Sequence, residues 1–558
     1  MSSDHSLFFA ASKRPPQPEH FKPKATDPNS NKNDARDRRA GDGTQPFMDR
    51  ASYDALEFDD VVASLDTARL NLGRCALVRS LVCPPLDAQT VRDRQDALEE
   101  LANRPDLRLE LESAIDRAAK FESSVNDLAW GEFGGLVDFS DAASGTTTRA
   151  GFGHSAIKRV RLMLKELLKA LENAPQPESA YLRSLFADIS EIANSRYFQL
   201  LTAGYISECG PLTMEEKKKI ILAYRFRPTF FKPMLLAGLA LGVVGLSQYV
   251  ASTYGGAGPG MVGGFYLFGF WAMVPLTAAY IAIVGKIDRD SFILPAGRTL
   301  LKDGKAKAGF EALAQLDVLL SHHRNLEALD GAPSLPEIRD EANHQITMNG
   351  LRSPLIGRDR NAYVTNDVAL LEARITFLTG PNSGGKTALA KALMHSQILG
   401  QAGCYVPASS GCLVPADRIF YQIPLAGSLK QAEGRFATEL SRTRDIFFAA
   451  TERSFAVLDE PFEGTSFDER IAISRDVVDG FLKLKATLIL ITHNHELARQ
   501  YRGAGVGGAA QFLEAIFEGD DATFRFETGI AETSRASQVA RDISFSRTDI
   551  KRHLGVNK

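Results

Sequence analysis

Arg374-Ile375-Thr376-Phe377-Leu378-Thr379-Gly380-Pro381-Asn382-Ser383-Gly384-Gly385-Lys386-Thr387 is the stretch on which the fold turns. A short apolar run leads into G-x-x-x-x-G-K-[ST], and a helical pattern opens at Ala388, which is the strand, loop and helix setting that this motif needs. Glycines let backbone N–H groups turn inward around phosphate oxygens, and the start of a helix adds favourable partial charge. Gly380, Pro381, Asn382, Ser383, Gly384 and Gly385 are therefore the expected cradle of a nucleotide such as ATP. Lys386 is expected to reach the β and γ phosphates, and the Thr387 hydroxyl to coordinate Mg²⁺.

Two more apolar strands follow. Ser454-Phe455-Ala456-Val457-Leu458-Asp459-Glu460 ends in two acids. Asp459 suits the Mg²⁺ shell, through water, and Glu460 can orient or deprotonate an attacking water. Thr487-Leu488-Ile489-Leu490-Ile491-Thr492-His493 delivers His493 to a strand end. In an open α/β sheet those ends line the ligand crevice, so His493 is placed to sense the γ-phosphate. His495 is expected to face solvent. Residues 341–530 thus read as a P-loop α/β domain that hydrolyses ATP, with a helical segment over 531–558.

Outward from this domain the texture is helical. Ile157, Val160, Leu164, Leu167, Leu168 and Leu171 recur at helical spacing with Lys158, Arg159, Lys165, Glu166 and Lys169 between them, one face of a long amphipathic helix. Phe310, Leu313, Leu316, Leu319 and Leu320 repeat the pattern. Helical segments are expected over 51–232 and 286–340. Residues 1–50 lack Ile, Val, Tyr and Trp and are crowded with Pro, Asn and charge, so they read as a disordered tail.

Between the two helical segments, residues 233–285 carry no formal charge, although charged residues make up 24% of the chain. The block splits at Gly255-Gly256-Ala257-Gly258-Pro259-Gly260 into halves that, as helices, would each span roughly 28–30 Å, a bilayer's hydrocarbon thickness. The reading is a transmembrane helical hairpin. Arg225, Arg227 and Lys232 before it and Lys286 and Arg289 after it set both outer ends in the cytoplasm. Tyr249, Tyr254 and Tyr266 near the turn act as interfacial aromatics, and Gly238 and Gly242 allow close helix packing.

Bulk composition constrains partners. With 65 Lys+Arg against 68 Asp+Glu, the net charge of -3 argues against a histone-like or tail-driven nucleic-acid binder and leaves a local basic patch open. Five cysteines without a C-x-x-C pair exclude a zinc knuckle or a disulfide framework.

Thr379 to Thr387, with Gly403-Cys404-Tyr405-Val406-Pro407-Ala408 and Asp417-Arg418-Ile419-Phe420, resembles the ATPase domain of the MutS mismatch-repair family. Phe436-Ala437-Thr438-Glu439-Leu440, Leu458-Asp459-Glu460, Gly464-Thr465-Ser466 and Thr492-His493 follow in the family's order, and Gly529-Ile530-Ala531 through Ala540 is similar to its closing segment. Upstream, Leu65-Asp66-Thr67, Gly73, Leu81, Pro84-Pro85-Leu86 and Arg92 to Leu98 look like the start of the family's core and lever, and Leu313 to Val318 like its returning lever helix. The resemblance implies a homodimer through the ATPase domains, each site completed in trans by a signature region at Gly434, Phe436 and Glu439. Gly434 stands where the family's signature has serine, with Ser428 as its substitute in another alignment. Pro461-Phe462-Glu463 stands where a glycine-arginine pair is usual. Both departures point to low turnover. The family's mismatch-reading and connector domains find no counterpart, and the hairpin falls where the DNA clamp is inserted.

The expected fold class is therefore α + α/β: a helical core and lever interrupted by a transmembrane hairpin, then a P-loop ATPase. Its leading function is an ATPase of the inner or cytoplasmic membrane, both soluble parts cytoplasmic, whose cycle moves lever helices attached to a lipid-embedded hairpin. The alternative is a DNA-binding repair or recombination factor, acting on mismatched or branched DNA, that uses ATP for clamp movement. This would need a basic surface on Arg149, Lys158, Arg159, Arg161, Lys165 and Lys169 or on Lys217-Lys218-Lys219, and the net charge lends it no general support. A third reading, an ABC-type transporter, lacks the Leu-Ser-Gly-Gly-Gln signature.

Overall fold

The computed structural model describes residues 46–130, 132–133, 139–141, 146–149, 154–225, 289–327, 333–355, 363–424, 432–462, 466–504, 508–519 and 521–531, and isolated positions between 242 and 253 and at 549 and 553. The expected tail up to residue 45, most of the expected hairpin, Ser428, Gly464, Thr465 and most of 531–558 lie outside them. The chain divides into two compact units. One is built from the chain up to Ala68, Arg74–Asn103 and Val318–Lys558, the other from Arg69–Gly73 and Arg104–Asp317.

The membrane part of the expected fold class is corrected. Among the described residues no helix is long and apolar enough to cross a membrane. With the transmembrane hairpin go the membrane localisation and the lipid partner. The physical reason is that missing charge is necessary for a spanning helix but not sufficient. About 20 continuous residues must also hold one helix with every backbone group paired. What remains of the fold class is a mixture of helix and sheet.

The second unit is mainly helical, with two small three-stranded sheets among its described residues. Helix His154–Asn173 buries Ile157, Val160, Leu164, Leu167 and Leu171, the face that the sequence spacing indicates. Two buried carboxylates organise residues 69–73. Asp317 Oδ2 accepts from the backbone N–H groups of Arg69 (2.9 Å) and Leu70 (2.8 Å), and Glu122 accepts from those of Asn71 and Leu72 (both 2.8 Å). They satisfy donors that the start of helix Asn71–Val82 would otherwise leave unpaired. Gly73 is required there, because a Cβ would lie 2.2 Å from Asp317 Oδ2.

In the first unit a six-stranded sheet runs in the order Ile419–Gln422, Phe455–Asp459, Thr487–Ile491, Ile375–Thr379, Ala510–Glu518 and Asp521–Thr528. All neighbours pair in parallel except the last two. Ile375–Thr379, Phe455–Asp459 and Thr487–Ile491 are buried at every position, hence their unbroken apolar runs. Phe377, Leu458, Leu488 and Leu490 share one core with Ile446 and Phe481 of the covering helices Ala432–Ala449 and Phe467–Leu484.

The edge of this sheet is covered by residues 47–57. Ile419 N–H donates to Phe47 O at 2.9 Å, and Met48 bridges Ile419 in parallel. Asp49 caps helix Arg50–Ala55 and forms a two-pronged pair with Arg442, one prong Arg442 Nη2 to Oδ1 at 2.8 Å. Burial pushes the Asp49 carboxyl up, but the Arg442 hydrogen bonds and charge outweigh it and hold the group below its ordinary value. A depressed carboxylate contributes stability at neutral pH that disappears as the pH falls through its folded value. Asp49→Ala is accordingly expected to cost about 1.5–3 kcal/mol at pH 7, read as a lower urea midpoint. The gap from wild type should close as the pH drops below the ordinary Asp value of 3.8.

Candidate nucleotide site

The loop after Ile375–Thr379 is shaped by two glycines in the left-handed region, Gly380 (φ 135°) and Gly385 (φ 82°). Neither could carry a side chain without strain, and a Cβ on Gly380 or Gly384 would come within 2.9 or 2.7 Å of Ala515 Cβ. Gly385 then precedes helix Lys386–Gln401, whose first-turn N–H groups have no partner within the helix. Lys386 is 2% exposed, and its Nζ donates to Gly380 O at 2.7 Å and Pro381 O at 2.8 Å. Burial pushes this amine down, against the pull of the Glu460 and Asp459 charges. Ser383 is exposed.

The sheet order brings the ends of three strands together. Thr387 Oγ1 donates to Asp459 Oδ2 at 2.7 Å, joining the helix start to the acidic strand. Burial raises the Asp459 carboxyl, and the neighbouring Glu460 charge adds to the shift. Two adjacent carboxylates with a hydroxyl beside them form an all-oxygen donor set that suits Mg²⁺, and a bound divalent cation would relieve their crowding. The residues therefore fit the metal, just as buried Lys386 and the glycine loop fit a polyphosphate.

Glu460 is turned out of the strand by an unusual backbone. Its φ is 45° and that of Phe462 is 68°, left-handed values that cost a non-glycine residue about 1–3 kcal/mol. Surrounding structure enforces them: Glu460 N–H donates to Ile491 O at 3.0 Å, and Phe462 is fully buried. The result brings the Glu460 carboxylate against His493 Nε2 at the end of the next strand. His493 is thus placed with Glu460, as the strand order requires.

His495 is not solvent-facing as expected. Asn494 caps helix His495–Gly503 by accepting from Leu497 N–H (3.3 Å), and His495 falls on the buried face with Leu497, Ala498 and Tyr501. The spacing of Ala498 and Tyr501 from His495 was the available signal. Burial lowers its pKa, against a hydrogen bond to the Ala531 backbone.

The expected signature region lies on helix Ala432–Ala449, and its three residues are disposed differently. Gly434 is exposed, with its carbonyl accepting from Thr438 Oγ1 at 2.8 Å. Phe436 packs its ring on Phe462 at 6.3 Å, edge to face, so it supports the Glu460 turn of its own chain. Glu439 is 1% exposed. Sequence reasoning missed Tyr421, a buried residue whose hydroxyl lies 3.4 Å from Asp459 Oδ2.

Residues 376–551 match the family model of MutS domain V. DNA mismatch repair protein MSH3 of Coccidioides immitis is 34% identical over 243 residues, covering 41% of this chain and 21% of that protein. The corresponding figures for DNA mismatch repair protein MutS 2 of Halobacterium salinarum are 29% over 243 residues, 42% and 26%. DNA mismatch repair protein MutS of Caulobacter vibrioides is 26% identical over 561 residues, covering 90% of this chain and 60% of that protein. The chain thus spans between about a fifth and three fifths of the length of these relatives.

Proposed function

We propose that this chain, whose residues 376–551 match MutS domain V, binds and hydrolyses ATP to drive a DNA transaction of the mismatch-repair or recombination type. The observation that carries the ATPase half is the connected series Thr387, Asp459, Glu460 and His493 beside buried Lys386. In this reading the loop's N–H groups and Lys386 bind the phosphates, while Thr387 and Asp459 hold the metal. Bound Mg²⁺ would offset the negative charge of the phosphoryl group being transferred. Glu460 takes the proton of the attacking water, and His493 keeps the carboxylate aimed. Its protein partner is a second copy through the ATPase domains.

The DNA half rests on the similarity to DNA mismatch repair proteins and on one surface. Helix His154–Asn173 exposes Lys158, Arg159, Lys165 and Lys169 opposite its buried face, with Glu166 among them. Such a face contributes phosphate contacts and no sequence reading.

The test is binding of a fluorescent mismatched duplex, followed by anisotropy with and without ATP over a salt series. Affinity should fall with salt, by a logarithmic slope of about 0.9 per phosphate contacted, and ATP should change it. Replacing Lys158, Lys165 and Lys169 together by alanine should weaken matched and mismatched duplexes alike and flatten the slope. Absence of duplex binding at low salt would remove DNA from the proposal and leave the ATPase half standing.

A further inference from the structure

Tyr421 belongs to strand Ile419–Gln422, parallel to the acidic strand and in register with Val457. It is 1% exposed, and its hydroxyl points to Asp459 Oδ2 at 3.4 Å, the oxygen that accepts from Thr387 Oγ1. A phenol that is buried needs a polar partner. Here the partner is the carboxylate assigned to the metal.

The backbone of Tyr421 is fixed as well. Its N–H donates to the buried Ser52 Oγ at 2.9 Å, and Ser52 Oγ accepts a second bond from Arg442 Nη2 at 3.0 Å. Arg442 is in turn paired with Asp49. A chain of polar contacts therefore runs from residues 49–52 through the strand to the carboxylate.

We propose that Tyr421 is a positioning residue of the Mg²⁺ site, whose hydroxyl fixes which way the Asp459 carboxylate faces before metal and nucleotide arrive. The proposal rests on the nucleotide-site reading above. Tyr421 touches neither phosphate nor attacking water in this scheme and acts through Asp459. Partners of this kind orient a ligating carboxylate and tune its metal affinity.

Tyr421→Phe removes one oxygen and keeps the ring, so the full chain should fold. The test is titration with a fluorescent ADP analogue, first in EDTA and then at fixed nucleotide over a Mg²⁺ series, alongside thermal melting. The Mg²⁺ concentration for half-maximal effect should rise about tenfold, with unchanged affinity in EDTA and an unchanged melting midpoint. An unmoved Mg²⁺ midpoint would overturn the proposal, as would a fall in EDTA affinity that accounts for the whole change. Asp459→Asn separates the two levels. If it too leaves the Mg²⁺ dependence of wild type intact, the metal assignment itself fails, and the role of Tyr421 with it.

Discussion

Lys386→Ala is expected to weaken nucleotide binding by about a hundredfold or more, while the chain stays folded. The side chain is 2% exposed and holds the loop through the carbonyls of Gly380 and Pro381. Its removal takes away the buried cation that would meet the phosphates. It also leaves two loop carbonyls without that donor and two carboxylates, Asp459 and Glu460, without the charge that offsets them. Truncating one partner of a buried charge pair costs about 2–5 kcal/mol of binding, and 1.4 kcal/mol is about a factor of ten. Titration with a fluorescent ATP analogue reads the effect, and a thermal melt confirms the fold. Binding within threefold of wild type would remove Lys386 from the phosphate site.

Glu460→Gln should separate binding from hydrolysis. The substitution keeps the shape of a side chain whose backbone sits at φ 45°, and it keeps a hydrogen-bonding group opposite His493. Only the carboxylate that accepts the proton of water is lost. General-base catalysis is worth about 10²–10⁴-fold, so turnover should drop by that factor with nucleotide affinity changed by no more than a few-fold. A single-turnover assay with radiolabelled ATP distinguishes this from slow product release. Unchanged turnover would take Glu460 out of the mechanism.

The nucleotide site was legible in the sequence because each part is local. Strands buried on both faces read as apolar runs, and the left-handed turns of Gly380 and Gly385 read as glycines. The family resemblance was legible for the same reason, since Thr379 to Thr387 and Leu458-Asp459-Glu460 are continuous. Helix His154–Asn173 announced its buried face through spacing alone. Non-local features were illegible. Asp49 meets Arg442, and Ser52 meets Tyr421, across more than 360 intervening positions, and no periodicity marks such pairs. The Glu460 and His493 pair depended on strand order, which the motifs implied but did not state. The error over residues 233–285 was of another kind. Missing charge is necessary for a membrane-spanning helix and does not by itself supply one, and among the described residues no helix is long and apolar enough to cross a membrane.

Coupling of the nucleotide site to DNA is tested most directly by steady-state ATP turnover of the full chain, with and without a mismatched duplex at moderate salt. Turnover should rise several-fold with the duplex and be lost in Glu460→Gln under both conditions. Turnover indifferent to every duplex offered, or surviving in Glu460→Gln, would contradict this reading.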